Sequence, residues 1–135
     1  MAIVLVVDDE TGIASLLEDV LQDEGYRVVT ASNGRQALER IAAERPDLIL
    51  TDFMMPVMDG AALISALVEN SDLRNIPVVL MSSLPEAAIA ERCNGYGAFL
   101  RKPFNIFDVV EMVVRLAPDA SRPADPSNDP ELKGR

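Results

Sequence analysis

The sequence predicts an α/β domain in which five parallel strands form one doubly wound sheet with helices on both faces, and three observations lead there. Short apolar runs alternate five times with stretches whose apolar residues recur at helical spacing. The connections are short and rich in turn residues. Runs such as Ala2–Val7 and Ile76–Met81 are almost continuously apolar, the pattern of strands buried on both faces.

Each element has its own signal. Ala2–Val7 is the first strand, ending abruptly in Asp8-Asp9-Glu10. Ile13, Leu16, Leu17, Val20 and Leu21 then form a helical stripe, and Gly25 is placed to end that helix in a left-handed cap. Tyr26–Thr30 is the second strand. Asn33-Gly34 turns the chain into a helix bearing Ala37, Leu38 and Ile41, which Pro46 brings to a close. Leu48–Leu50 is the third strand, with Asp52 at its end, and Pro56 with Asp59-Gly60 makes the following stretch a loop. The third helix runs from about Gly60 to Asn70 with Leu63, Ile64 and Leu67 inward. Ile76–Met81 is the fourth strand, with Pro77 near its start, where a missing N–H is tolerated. Pro85 opens a short helix through Ile89 to Cys93, and Gly95 and Gly97 bracket the turn into the fifth strand, Ala98–Leu100. Ile106, Val109, Val110, Val113 and Val114 mark the last helix. The reading is a domain over residues 1–117 and a tail over 118–135, too poor in apolar residues to offset the entropy of ordering.

Composition narrows the function. With 135 residues, 49% of them hydrophobic, the chain has material for one proper core. No apolar stretch approaches membrane-spanning length and the amino terminus does not resemble a signal peptide, so the expected location is the cytoplasm. One cysteine excludes an internal disulfide, and the absence of histidine excludes a His-bearing zinc site or a Cys-His catalytic pair. A formal net charge of −10 opposes nonspecific nucleic-acid binding.

Asp8, Asp9 and Asp52 carry the chemistry. In an open α/β sheet, ligands bind beyond the carboxyl ends of the strands at the topological switch point, which the flavodoxin-like order 2-1-3-4-5 places between strands one and three. Carboxylates gathered there repel one another unless a cation intervenes or protons are retained. An all-oxygen cleft suits Mg²⁺, which keeps waters and leaves room for phosphate oxygens. Ser82 and Lys102 stand at the ends of strands four and five. A carboxylate nucleophile, a metal, a hydroxyl and an ammonium together suit acceptance of a phosphoryl group. Taken singly, each has a plainer reading: Asp8 and Asp9 as a helix N-cap pair, Ser82 as a turn residue, Lys102 as a solvated charge. Met54, Met55 and Met58 read as loop packing, and Cys93 as a small buried hydrophobe.

The motifs Val6-Val7-Asp8-Asp9-Glu10, Asp52-Phe53-Met54-Met55-Pro56-Val57-Met58-Asp59-Gly60, Met81-Ser82-Ser83 and Phe99-Leu100-Arg101-Lys102-Pro103-Phe104 resemble those of the receiver domain of bacterial two-component response regulators. The likeness covers residues 2 to about 117. It implies that Asp52 is phosphorylated by the phosphohistidine of a histidine kinase or histidine phosphotransfer protein, and that a downstream target protein reads the result. It also implies Mg²⁺ (or Mn²⁺) held by Asp9 and Asp52 directly, by Asp8 mostly through water and by the Met54 carbonyl. Ser82 would grip the phosphoryl group, Lys102 would pair with it, Phe99 would serve as the switch aromatic, and the Lys102-Pro103 bond would be cis.

This chain departs from the family pattern in three places. Serine at 82 keeps the hydroxyl of the commoner threonine, and Phe99 lacks the hydroxyl of the frequent tyrosine. The interval from Ser82 to Lys102 is short, so the fourth helix and its loop should be reshaped. Other classes fail at particular residues. A haloacid-dehalogenase-like phosphatase would need an aspartate at Met54, and a nucleotide-binding module would need a glycine- or hydroxyl-rich loop where Asp8-Asp9-Glu10 stands. The alternative is a receiver-like adaptor that binds its partner regardless of phosphorylation. No DNA-binding or catalytic segment is recognisable after residue 117, so the expected action is on another protein, as a signalling module rather than an enzyme with an external substrate.

Overall fold

Alternate residues of the same strand serve two different cores, which is why the strands are apolar throughout. The computed structural model describes residues 1–117, so the expected disordered tail lies outside the described residues. The elements are β1 (Ile3–Val7), α1 (Thr11–Asp23), β2 (Arg27–Ala31), α2 (Gly34–Ala43), β3 (Leu48–Asp52), α3 (Gly60–Glu69), β4 (Val78–Ser82), α4 (Glu86–Ala90), β5 (Ala98–Arg101) and α5 (Ile106–Leu116). All strand pairs are parallel, in the order β2-β1-β3-β4-β5. On one face Val4, Val6, Leu50 and Met81 pack with Leu17 and Leu21 of α1 and Val109 and Val113 of α5. On the other, Leu5, Val7, Ile49 and Leu80 pack with Ile41 of α2, Leu63 and Leu67 of α3 and Ile89 of α4. The predicted architecture is the observed one. Among the described residues, no helix is long and apolar enough to cross a membrane.

Side chains start three of the helices. Asn33, Asp59 and Asn105 accept hydrogen bonds from the backbone N–H groups of Gln36, Ala62 and Phe107, each at 2.8 Å. Such a cap contributes about 1 kcal/mol. At the end of α1, Gly25 adopts φ 96°, its N–H donating to the Gln22 carbonyl and that of Tyr26 to the Leu21 carbonyl. These two bonds are a Schellman motif, the left-handed ending expected of that glycine.

Several expectations need correction. Leu16 is not part of the inward stripe: the buried line of α1 is Ala14, Leu17 and Leu21, and Leu16 is 52% exposed, because it lies about 100° around the helix from Leu17. Met54, read as loop packing, is 64% exposed, whereas Met55 does pack against the second core. Neither Asp8 nor Asp9 caps α1; Glu10 holds that position without a side-chain cap bond. Cys93 is buried in the second core, and the helix that Pro85 opens ends at Ala90 rather than running on to Cys93.

Candidate functional site

Strand register gathers the site. Val7 of β1 pairs with Thr51 of β3, so Asp8 leaves the sheet level with Asp52. Asp52 pairs with Met81 of β4, one residue before Ser82. Ser82 pairs with Arg101 of β5, one residue before Lys102, whose backbone N–H donates to the Ser82 carbonyl at 2.8 Å. Residues 20 (Ser82 and Lys102) to 94 (Asp8 and Lys102) positions apart in sequence thus meet at one edge. The Lys102–Pro103 bond after β5 is cis.

Asp8, Asp52 and Ser82 are all buried, an unusual concentration of polar groups at strand ends. Each carboxylate divides its oxygens in the same way. Asp8 Oδ1 accepts from the Glu10 backbone N–H at 2.9 Å and Asp52 Oδ1 from that of Phe53 at 2.9 Å. Their Oδ2 atoms accept from Lys102 Nζ at 3.2 and 3.1 Å. Glu10 Oε1 stands 3.9 Å from the same ammonium. Ser82 Oγ accepts from the Leu84 backbone N–H at 3.0 Å, which leaves the hydroxyl proton to donate elsewhere.

One ammonium among three carboxylates leaves the cluster with surplus negative charge. Burial pushes the Asp52 carboxyl above the ordinary aspartate range, the Asp8 charge adds to the rise, and Lys102 only partly opposes it. For Lys102, burial disfavours the charged form, but Asp52 and Asp8 outweigh it through charge and hydrogen bonding and hold its pKa above normal. Both shifts express one fact: the cluster favours added positive charge.

Oxygen atoms of Asp8, Glu10 and Asp52 lie within 4.8 Å of one another. An all-oxygen set of that size fits a hard divalent cation such as the Mg²⁺ of receiver domains. Glu10 was not singled out from the sequence as a member. Its signal was an Asx turn: Asp8 accepts the Glu10 N–H two residues on, the chain bends at Asp9, and the Glu10 carboxylate comes back towards the Lys102 ammonium. Asp9 is exposed and lines an open cavity of about 370 Å³ with Met54, Met55, Pro56 and Asp59, the loop beside Asp52. Phe99 is half-buried, its ring 6.3 Å from that of Tyr96, and the Tyr96 hydroxyl donates to Glu86 of α4 at 3.1 Å.

The chain is similar to known proteins. A family model, the response regulator receiver domain, matches residues 4–114. Sporulation initiation phosphotransferase F of Bacillus subtilis is 36% identical over 117 residues, covering 85% of this chain and 93% of that protein. The DNA-binding transcriptional regulator NtrC of Escherichia coli is 37% identical over 115 residues, which are 84% of this chain and 24% of the regulator. Among solved structures, the signal receiver domain of a signal transduction histidine kinase from Syntrophus aciditrophicus superposes with a TM-score of 0.82 at 33% identity, covering 93% of this chain and 96% of that one. The receiver domain of a sensor histidine kinase from Pseudomonas aeruginosa, solved with a magnesium ion coordinated in its active site cleft, gives 0.79 at 26% identity, covering 86% and 97%.

Proposed function

The chain belongs to the family of response regulator receiver domains, and from that premise we propose that Asp52 is a phosphoacceptor serving two-component signalling in the cytoplasm. The observation that carries this reading is the Lys102 ammonium bridging Asp52 and Asp8 at 3.1 and 3.2 Å beside the buried Ser82 hydroxyl. An adaptor indifferent to phosphorylation would have no use for that convergence.

The donor is a phosphohistidine on a histidine kinase or phosphotransfer protein. An Asp52 carboxylate oxygen attacks phosphorus, a P–O bond forms as the P–N bond breaks, and the imidazole departs with the electron pair. Lys102 offsets the charge of the phosphoryl oxygens, and Ser82 donates its hydroxyl proton to one of them. Asp8, Asp9, Asp52 and the Met54 carbonyl, with Glu10 alongside, would hold Mg²⁺ (or Mn²⁺). When bound, the ion neutralises charge that Lys102 alone leaves in excess. Movement of Ser82 towards the phosphoryl group opens room for Phe99 to turn inward, which alters the α4–β5–α5 surface offered to a downstream protein.

Intact mass after incubation with acetyl phosphate and Mg²⁺ tests the assignment. The wild type gains one phosphoryl group and Asp52→Asn gains none; equal yields in the two would overturn it.

A further inference from the structure

The loop over residues 53–59, which carries Met54 and faces Asp9, is bent against its own preference. Val57 has φ 69°, a left-handed conformation that costs a β-branched residue dearly, and the Met58 N–H closes a tight turn on the Pro56 carbonyl at 2.7 Å. Such a conformation persists only where the surroundings over-determine it. Two glycines supply the restraint. The Gly60 N–H donates to the Phe53 carbonyl at 2.8 Å, and a Cβ on Gly60 would meet the Asp52 carbonyl oxygen at 2.5 Å, so only glycine lets α3 start this close to β3. The second tie comes from a different element. Gly34, the first residue of α2, donates its N–H to the Met58 carbonyl at 2.9 Å. A Cβ on Gly34 would meet Met58 Cγ at 2.6 Å, the Met58 carbonyl oxygen at 2.9 Å and Sδ at 2.9 Å.

We propose that Gly34 is a positioning residue for phosphoryl transfer at Asp52, acting through Met58 to hold the strained loop, with Met54 and Asp59, against Asp9 at the mouth of the acidic cleft. It touches neither the reacting atoms nor the cation. The inference rests on the phosphoacceptor reading and adds to it that the amino end of α2 sets the affinity of the cleft for its ion. With a side chain at residue 34, Met58 must withdraw, and the loop relaxes away from the other oxygen donors.

Calorimetric titration of the full chain with Mg²⁺, paired with acetyl phosphate kinetics across Mg²⁺ concentration, tests it. Gly34→Ala weakens Mg²⁺ binding by roughly ten-fold, the size seen when groups that orient metal ligands are disturbed. Its phosphorylation rate falls at low Mg²⁺ and returns close to the wild-type value at saturation. Adding Met58→Ala to Gly34→Ala recovers part of the loss, since the side-chain obstruction goes while the carbonyl obstruction stays. A folded Gly34→Ala protein with a lower Tm but wild-type Mg²⁺ affinity and rate profile shows a purely structural glycine and overturns the proposal. Should Gly34→Ala not fold, amide NMR of the wild type decides: Mg²⁺ shifts the Gly34 and Met58 resonances, and resonances unmoved at saturation overturn it. A wild type that takes up phosphoryl groups while the variant matches it sinks this inference alone. A wild type that accepts none removes the phosphoacceptor reading and this inference with it.

Discussion

Leu50 and Asp52 lie two residues apart on β3, both buried, and they do opposite work. Leu50 is fully enclosed between β3 and the helices α1 and α5, where apolar contact is favourable without any partner. Asp52 is 7% exposed, and its charge is tolerated only because Lys102 and the Phe53 N–H reach it. The interior of the sheet stores stability that its carboxyl edge partly gives back. A receiver uses that difference: an edge uncomfortable with its own charge is poised to take up a cation.

Breaking the two residues separately gives the sharpest contrast. Asp52→Asn abolishes phosphorylation by acetyl phosphate, as intact mass records, yet raises the Tm of the metal-free protein at neutral pH, because the amide removes a charge that the fold disfavours. Leu50→Ala should do the reverse. It costs about 3 kcal/mol of stability through lost burial and the cavity left behind, measured by urea denaturation, while whatever fraction stays folded still accepts phosphate.

Acidity sharpens the comparison next. Asp52 has a folded-state pKa above its unfolded value, so the native state binds the extra proton. In EDTA, stability contributed at Asp52 therefore grows as pH falls through the raised pKa towards the ordinary aspartate value and levels off below it. Lys102, also raised, contributes stability in full below the ordinary lysine pKa and loses it as pH climbs through the folded value. The Tm difference between wild type and Asp52→Asn, followed from neutral to acidic pH, should shrink; a difference independent of pH would mean that burial does not strain the Asp52 charge. Mg²⁺ provides a related test at constant pH. Millimolar Mg²⁺ raises the wild-type Tm by mass action, and Asp9→Ala reduces that response even though Asp9 lies outside the Asp8, Glu10 and Asp52 group. The smallest effect belongs far from the edge: Asn33→Ala removes the α2 cap bond for about 1 kcal/mol, visible in the Tm.

What could be read from the sequence is local. Periodicity placed every strand and helix, Gly25 announced its left-handed cap, and charged or hydroxylated residues ending apolar runs marked Asp8, Asp52, Ser82 and Lys102 as a set, since a strand end is decided by its own few residues. Leu16 was misread because one apolar residue beside another on a helix does not tell which faces the sheet. Contacts across the chain were beyond such reasoning. The Tyr26 hydroxyl reaches the Ala117 carbonyl over 91 positions, and the Gly34–Met58 seat joins the start of α2 to the loop after β3, which neither motif nor period connects.

By itself, then, the order of residues determined the sheet, its helices and the strand ends at which Asp8 and Asp52 stand, because hydrophobic period and turn chemistry act over a handful of neighbours. Only the folded molecule decided which oxygens share the Lys102 ammonium, that Glu10 rather than Asp9 stands beside Asp8, and that α2 seats the Asp52 loop. Hydrogen bonds and charge pairing depend on tenths of an ångström between elements that meet only after the strands have fallen into register.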